Sequence, residues 1–272
     1  MFCHFPMNNN TDPAFLTNIT DKEYRESTGL SQSSIKEFLI SPAHYLAYTE
    51  QVKEPTPAMQ FGTAFHAYIL QDNPYDFFAV KKKVDGRSKE GKTYNDAFAL
   101  ENAGKAIINE EEFDILKAMK DSVMAHAFAS KLIKGLTAKE VAVYGTKDGV
   151  RLKGLIDGYS EQGYAIDLKT AEDASLGFKK SINNFAYDLQ NVHYDWLLKN
   201  AGKELNKFYF IAIEKEPPFA VGVYFISDKS LTKARNKWDF AIKRFAVCQT
   251  SGMYPAYSDE PVELNLSNEI YD

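Results

Sequence analysis

The chain has 272 residues, 44% hydrophobic and 25% charged, which is ordinary globular composition and long enough to bury a real core. No apolar run reaches the ~18 residues a spanning helix needs, and Met1–Pro6 lacks the basic-then-apolar pattern of a signal peptide. Two cysteines, Cys3 and Cys248, are too few for a disulfide framework, so the expectation is a soluble, cytosolic protein with one main domain.

The formal charge of −5 argues at first against a polyanionic partner, but its distribution weakens that objection. Asp259, Glu260, Glu263, Glu269 and Asp272 supply all of it from the tail at 259–272, leaving the rest formally neutral. Between Lys81 and Lys92, four lysines beyond Lys81 and Arg87 outnumber Asp85 and Glu90, a basic surface suited to phosphates.

Residues 1–20 are polar, Asn-rich and unpatterned, and read as a flexible terminus ahead of a domain over 21–258. Within it, a helical front over 21–135 should precede a core over 139–250. A helix starts near Ser31, with Ile35, Phe38 and Leu39 on one face. Ser41-Pro42 restarts it, serine as cap and proline in the first helical position. A buried helix follows over Ala58–Leu70. Lys81–Gly91 reads as an exposed loop, and helices follow near Tyr94–Gly104 and Glu110–Ile133.

The texture changes at Lys139. Strands are predicted at Glu140–Thr146, Arg151–Tyr159 and Tyr164–Thr170, separated by Lys147-Asp148-Gly149 and Glu161-Gln162-Gly163, turns suited to antiparallel hairpins. A helix over Phe185–Asn200 stops near Gly202. Strands at Lys207–Glu214 and Ala220–Ile226 flank Pro217-Pro218, and a last helix spans Ser230–Cys248. The order predicts an α/β (α+β) fold, a mixed central sheet flanked by helices.

Side chains alternate along a strand, so Asp167 and Lys169 point one way and Leu168 the other. If the strands pair through the turn at Glu161–Gly163, Asp157 approaches Asp167 across the ladder. Two carboxylates and an ammonium on one patch are the equipment for phosphodiester hydrolysis with bound divalent ions. A lone Asp-x-Lys is more often a surface ion pair; the upstream Asp157 and the following helix, with Gln190 and Tyr194 on one face, raise the chemical reading.

The ordered set Gly154-x-x-Asp157, Asp167-Leu168-Lys169-Thr170 and Gln190-x-x-x-Tyr194 resembles the RecB/RecE-type branch of the PD-(D/E)XK nucleases. Leu30-Ser31-Gln32-Ser33-Ser34-Ile35-Lys36, Ser41-Pro42-Ala43-His44-Tyr45, Gly62-Thr63-Ala64-Phe65-His66, Asp85–Lys92 and Glu214–Pro218 are similar to the RecE/exodeoxyribonuclease VIII group. The likeness covers approximately residues 20–260 and implies a restriction-endonuclease-like core. It implies that Asp157 and Asp167 hold one or two Mg²⁺ or Mn²⁺ ions with the Leu168 carbonyl, His66 and, more loosely, Glu140. It makes Lys169 the catalytic lysine and gives Gln190 and Tyr194 catalytic roles. Leu155 stands where that branch often has a basic residue.

The activity implied is 5′→3′ digestion of one strand of linear duplex DNA, leaving a 3′ overhang for a single-strand annealing protein of the RecT/beta type. A homo-oligomeric ring, trimer or tetramer, in a bacterial host cytoplasm belongs to the same resemblance. Arg87, Lys89 and Lys92, then Lys179 and Lys180, are the candidate DNA contacts, each against the plainer reading of a solvated surface. A structure- or site-specific endonuclease and a catalytically silent DNA- or partner-binding module are the competing readings.

Overall fold

The structure, a computed structural model, describes residues 14–17, 19–51 and 54–263. The expectations for Cys3, for residues 1–13 and for the acidic tail beyond residue 263 lie outside the described residues. Strand β1 (Ala14–Leu16) is followed by helices α1 (Asp21–Glu26), α2 (Gln32–Ile40), α3 (Pro42–Glu50) and α4 (Pro57–Leu70). Ser31 caps α2 and Ser41 caps α3 ahead of Pro42, as their spacing predicts.

Next come β2 (Phe78–Lys81), α5 (Lys89–Glu101), β3 (Ala106–Asn109), α6 (Glu110–Ala125) and α7 (Ala127–Lys134). The loop expected at Lys81–Gly91 is shorter, because Lys81 ends a strand and the Ser88 hydroxyl accepts from Gly91 N–H, opening α5. The long helix expected from Glu110 to Ile133 breaks at His126, whose backbone is extended and whose Nδ1 caps α7.

The remaining elements are β4 (Ala138–Lys147), β5 (Val150–Ser160), β6 (Tyr164–Ala171), α8 (Phe178–Phe185), α9 (Tyr187–Asn200), β7 (Lys207–Glu214), β8 (Val221–Tyr224) and α10 (Asp228–Ser251). Six strands make one sheet in the order β1-β4-β5-β6-β7-β8, antiparallel throughout except β6 with β7. The parallel step requires a crossover, supplied by α8 and α9. A separate parallel pair joins β2 to β3.

Both faces of this sheet are covered. On one, Val141, Val143, Leu152, Ala165, Phe208 and Phe210 pack with apolar residues of α2, α9 and α10. On the other, Ile166, Leu168, Ile211 and Ile213 pack against α4, α6 and α7. Burial on both sides explains why β6 and β7 read as nearly continuous apolar runs. Asp167 and Lys169 interrupt that run at positions that alternate with Leu168.

Two departures from regular geometry matter below. Residues 1–20 do not stay unpatterned throughout: Ala14–Leu16 pairs with Tyr144–Ala142 at the sheet edge. The helix expected from Phe185 to Asn200 is two helices, because Ala186 takes a left-handed backbone (φ 54°, ψ 47°) between α8 and α9.

Helix α9 lies close on β5. A Cβ at Gly154 would stand 2.8 Å from Tyr194 Cε1 and 2.9 Å from Leu197 Cδ1. Both neighbours are buried, and the rigid Tyr194 ring cannot swing aside. Gly154→Ala is therefore expected to destabilise the protein by about 1–3 kcal/mol, the range for overpacking a filled core. A thermal or urea melt reads this directly; an unchanged midpoint would show that α9 can ride outward freely.

Candidate active site

The β5–β6 ladder pairs Ser160 with Tyr164, Tyr159 with Ala165 and Gly158 with Ile166, and stops there. One step further, where Asp157 and Asp167 would face each other, the strands part. The Leu168 N–H donates instead to Asp157 Oδ2 at 2.7 Å. The carboxylate thus replaces a backbone acceptor and is fixed at the fork between two strands.

From the opposite side, α4 delivers His66, with Nδ1 3.3 Å from the same Asp157 oxygen. Gln190, one turn into α9, donates from Nε2 to Asp167 Oδ1 at 2.8 Å. Lys169 Nζ lies 2.5 Å from Asp167 Oδ2. That buried oxygen has the Lys169 ammonium beside it to balance its charge. Asp167 is 2% exposed.

These contacts set the charges. Burial pushes the Asp167 carboxyl up to about 6 against the pull of Lys169, and Asp157 adds to the rise. Burial works against the Asp157 carboxylate too, but His66, Lys169 and the Leu168 N–H together hold it below its ordinary value. His66 and Lys169, both penalised by burial, are held above their ordinary values by the carboxylates they face, His66 chiefly by Asp157 and Lys169 chiefly by Asp167. One carboxylate is thus stabilised in its charged form and the other is poised nearer neutrality, the asymmetry common in reactive sites.

Asp157, Asp167, Lys169, His66 and Gln190 are therefore brought together. Tyr194 is on the same helix face as Gln190 but buried against Gly154, and burial pushes its phenol well above the ordinary value, so it stays neutral. Glu140 belongs to the strand beside Asp157: the β4–β5 register pairs Lys139 with Gly158 and Val141 with Ile156 and omits the step between. There Glu140 has φ 47°, and its carboxylate accepts from Gln71 Nε2 at 2.5 Å, at the end of α4. Arg87, Lys89, Lys92, Lys179 and Lys180 are all exposed; the last two open α8, which leads into the site.

Tyr187 is the residue whose importance the spacing understated. Its ring lies 4.6 Å from Lys169 Nζ, so the ammonium is held between a carboxylate and an aromatic face. The available signal was its place one turn before Gln190.

The donors present suit a hard divalent cation by type: two carboxylates, an imidazole and a backbone carbonyl beside an orphaned buried oxygen. As arranged, no three His, Cys, Asp or Glu side chains among the described residues form a cluster that could hold an ion. Asp157 is turned to the His66 imidazole and Asp167 to the Lys169 ammonium, so the carboxylates face these internal partners.

A family model described as a PDDEXK-like domain of unknown function (DUF3799) matches residues 31–264. The chain belongs to this PDDEXK-like family. Among solved structures, a Eubacterium rectale protein named "Putative exonuclease" is similar over 92% of this chain and 96% of its own, with a TM-score of 0.61 and 14% identity. At that identity the likeness speaks for the fold, a mixed sheet flanked by helices. A second structure, SSO0001, aligns over 80% of this chain and 93% of its own at 12% identity, but its TM-score of 0.27 carries no argument. No curated protein sequence matches. No helix among the described residues is long and apolar enough to cross a membrane.

Proposed function

We propose that this chain is a divalent-metal-dependent exodeoxyribonuclease that digests one strand of linear duplex DNA. The observation that carries the reading is the convergence of Asp157, Asp167 and Lys169 where β5 and β6 fork, with His66 and Gln190 holding the two carboxylates from separate helices. Family membership supports hydrolysis of nucleic acid.

In this mechanism Asp157, Asp167, the Leu168 carbonyl and His66 would hold Mg²⁺ or Mn²⁺, which when bound would supply an acidified water and positive charge for the phosphate oxygens. The chain's own groups do the rest. The Leu168 N–H and His66 keep the Asp157 carboxylate charged and oriented. Gln190 fixes Asp167 through Oδ1, while Oδ2 lies against the Lys169 ammonium. Lys169, backed by Tyr187, is placed to hold the attacking water or the charge that builds on phosphorus. Digestion from 5′ to 3′, leaving a 3′ overhang for strand annealing by a RecT/beta-type protein, is the polarity and use the motif resemblance favours, with a ring of subunits giving processivity.

The test uses end-labelled linear duplex and covalently closed circular DNA, each with Mg²⁺ or with EDTA. The expected result is loss of the linear substrate in Mg²⁺, at least about a hundredfold faster than in EDTA, with the circle intact. Cutting of the circle would replace this reading with an endonuclease, and inertness toward both would leave a DNA- or partner-binding module.

A further inference from the structure

Beside the site, the joint between α8 and α9 has features that folding alone does not require. Ala186 holds a left-handed backbone, which a residue with a Cβ adopts at a cost that glycine avoids. The preceding side chain, Phe185, is 53% exposed. It is not loose: its ring stacks on Tyr187 with centroids 5.6 Å apart and planes 25° from parallel. Tyr187 in turn stacks on Phe210 of β7, at 5.7 Å and 22°, and its ring borders the Lys169 ammonium. A rigid aromatic stack thus runs from the sheet toward solvent, passing Lys169 and ending in the half-exposed Phe185 ring.

Helix α2 holds this joint from the other side. Gln32 Nε2 donates to the Ala186 carbonyl at 3.3 Å, and Lys36 Nζ donates to the Asn184 carbonyl at 3.5 Å. The same ammonium lies 5.9 Å from the centre of the Phe185 ring. Lys179 and Lys180 stand exposed on the first turn of α8. The result is a half-exposed phenyl ring with the Lys36 ammonium over it, adjoining a site that would bind a phosphodiester. That combination matches one nucleotide: a planar base for the ring and a phosphate for the ammonium.

We propose that Phe185 is a stacking platform for an unpaired base of the strand entering the site, with Lys36 as the partner of that nucleotide's phosphate. This rests on the nuclease reading above for the identity of the strand. The strain at Ala186 then has a use, because the left-handed turn presents Phe185 outward while letting Tyr187 and Gln190 face inward. Phe185 is a substrate-positioning residue and plays no part in holding Asp157 or Asp167.

The experiment measures binding of fluorescein-labelled duplexes by anisotropy in EDTA, so that cleavage does not intervene. One duplex is blunt and one carries a short single-stranded tail; wild type, Phe185→Ala and Phe185→Trp are compared. Phe185→Ala is expected to weaken binding of the tailed duplex by about tenfold to a hundredfold, the loss of one stacked base. Phe185→Trp should retain it within about twofold, and the preference for the tailed over the blunt duplex should fall only in the alanine variant. In Mg²⁺ the alanine variant should raise KM and leave kcat. Equal affinity of wild type and Phe185→Ala for the tailed duplex would overturn the proposal, as would weakening by the tryptophan as large as by the alanine. An absence of cleavage by wild type with the anisotropy pattern intact would sink the nuclease reading while retaining the base platform. Phe185 is exposed, and matching melting curves for the three proteins confirm that binding alone has changed.

Discussion

Asp167→Asn is expected to abolish metal-dependent cleavage, by about a thousandfold or more, while the protein still folds. The amide has nearly the volume of the carboxylate, and its oxygen can go on accepting from Gln190 Nε2. What disappears is the negative charge at Oδ2, where the amide instead turns an NH₂ donor toward the Lys169 ammonium. Two opposing effects act on stability. The burial penalty that pushes this carboxyl up to about 6 is removed, but Lys169 loses its nearest counter-charge. Asp157 and the Tyr187 ring remain beside the ammonium, so the net change should stay within about 2 kcal/mol, below the cost of breaking an isolated buried pair. Single-turnover cleavage of end-labelled duplex and a urea melt measure the two quantities separately. Residual cleavage within about tenfold of wild type would remove Asp167 from the mechanism.

Acidification should destabilise the fold through a residue far less conspicuous in the sequence. His193 is wholly buried between α10 and β5. Trp238 Nε1 can only donate, and it donates to His193 Nδ1 at 3.1 Å, so the ring proton sits on Nε2 and is donated to the Lys153 carbonyl at 2.9 Å. The neutral ring satisfies both neighbours, and a second proton has no acceptor. Burial accordingly pushes its pKa from 6.5 down to about 4. Below pH 6.5 the unfolded chain takes up a proton that the folded chain refuses. The histidine's contribution is therefore complete above pH 6.5 and is lost as the pH falls toward 4, to the extent of about 3 kcal/mol. His193→Gln should flatten this part of the stability profile. It should also lower stability at pH 7 by about 2–4 kcal/mol, because the amide cannot meet the Trp238 N–H and the Lys153 carbonyl in one geometry. Unfolding free energies in urea at pH 7 and pH 4.5 decide it: parallel losses in wild type and variant would show that other groups carry the acid sensitivity.

The strands that carry Asp157, Asp167 and Lys169 were legible because local signals agreed with the global arrangement. Period-two alternation, two short turns and an apolar run broken only by Asp167 and Lys169 specify the hairpin and put both side chains on one face. Their 2.5 Å approach follows from that alternation. The serine caps of α2 and α3 were legible for the same reason, since a cap is a contact three residues long. Long-range contacts were not. Strand β1 is three residues that find β4 across more than a hundred positions, and β2 pairs with β3 across the whole of α5. The break at Ala186 is invisible because alanine is a strong helix former and nothing in the local pattern marks a left-handed turn there. Glu140 sits beside Asp157 in the register, but its positive φ carries its carboxylate to Gln71, which strand alternation cannot foresee. His193 gave no signal at all, lying among polar residues of an amphipathic helix whose polar edge proves to be buried.

The contacts of Lys153 redraw where this domain begins. Its ammonium is buried and donates to the carbonyls of Ser27 at 2.6 Å and Tyr24 at 2.9 Å, at the end of α1, while lying 4.8 Å from the Tyr24 ring. Ser31, where the family match starts, lies downstream of every one of these acceptors. A boundary drawn at that residue would cut between a buried cation and the groups that solvate it, four residues along β5 from Asp157. The short helix before Ser31 is therefore an internal solvent for the strand that carries Asp157, and the physical unit extends further toward the N-terminus than sequence similarity alone marks out.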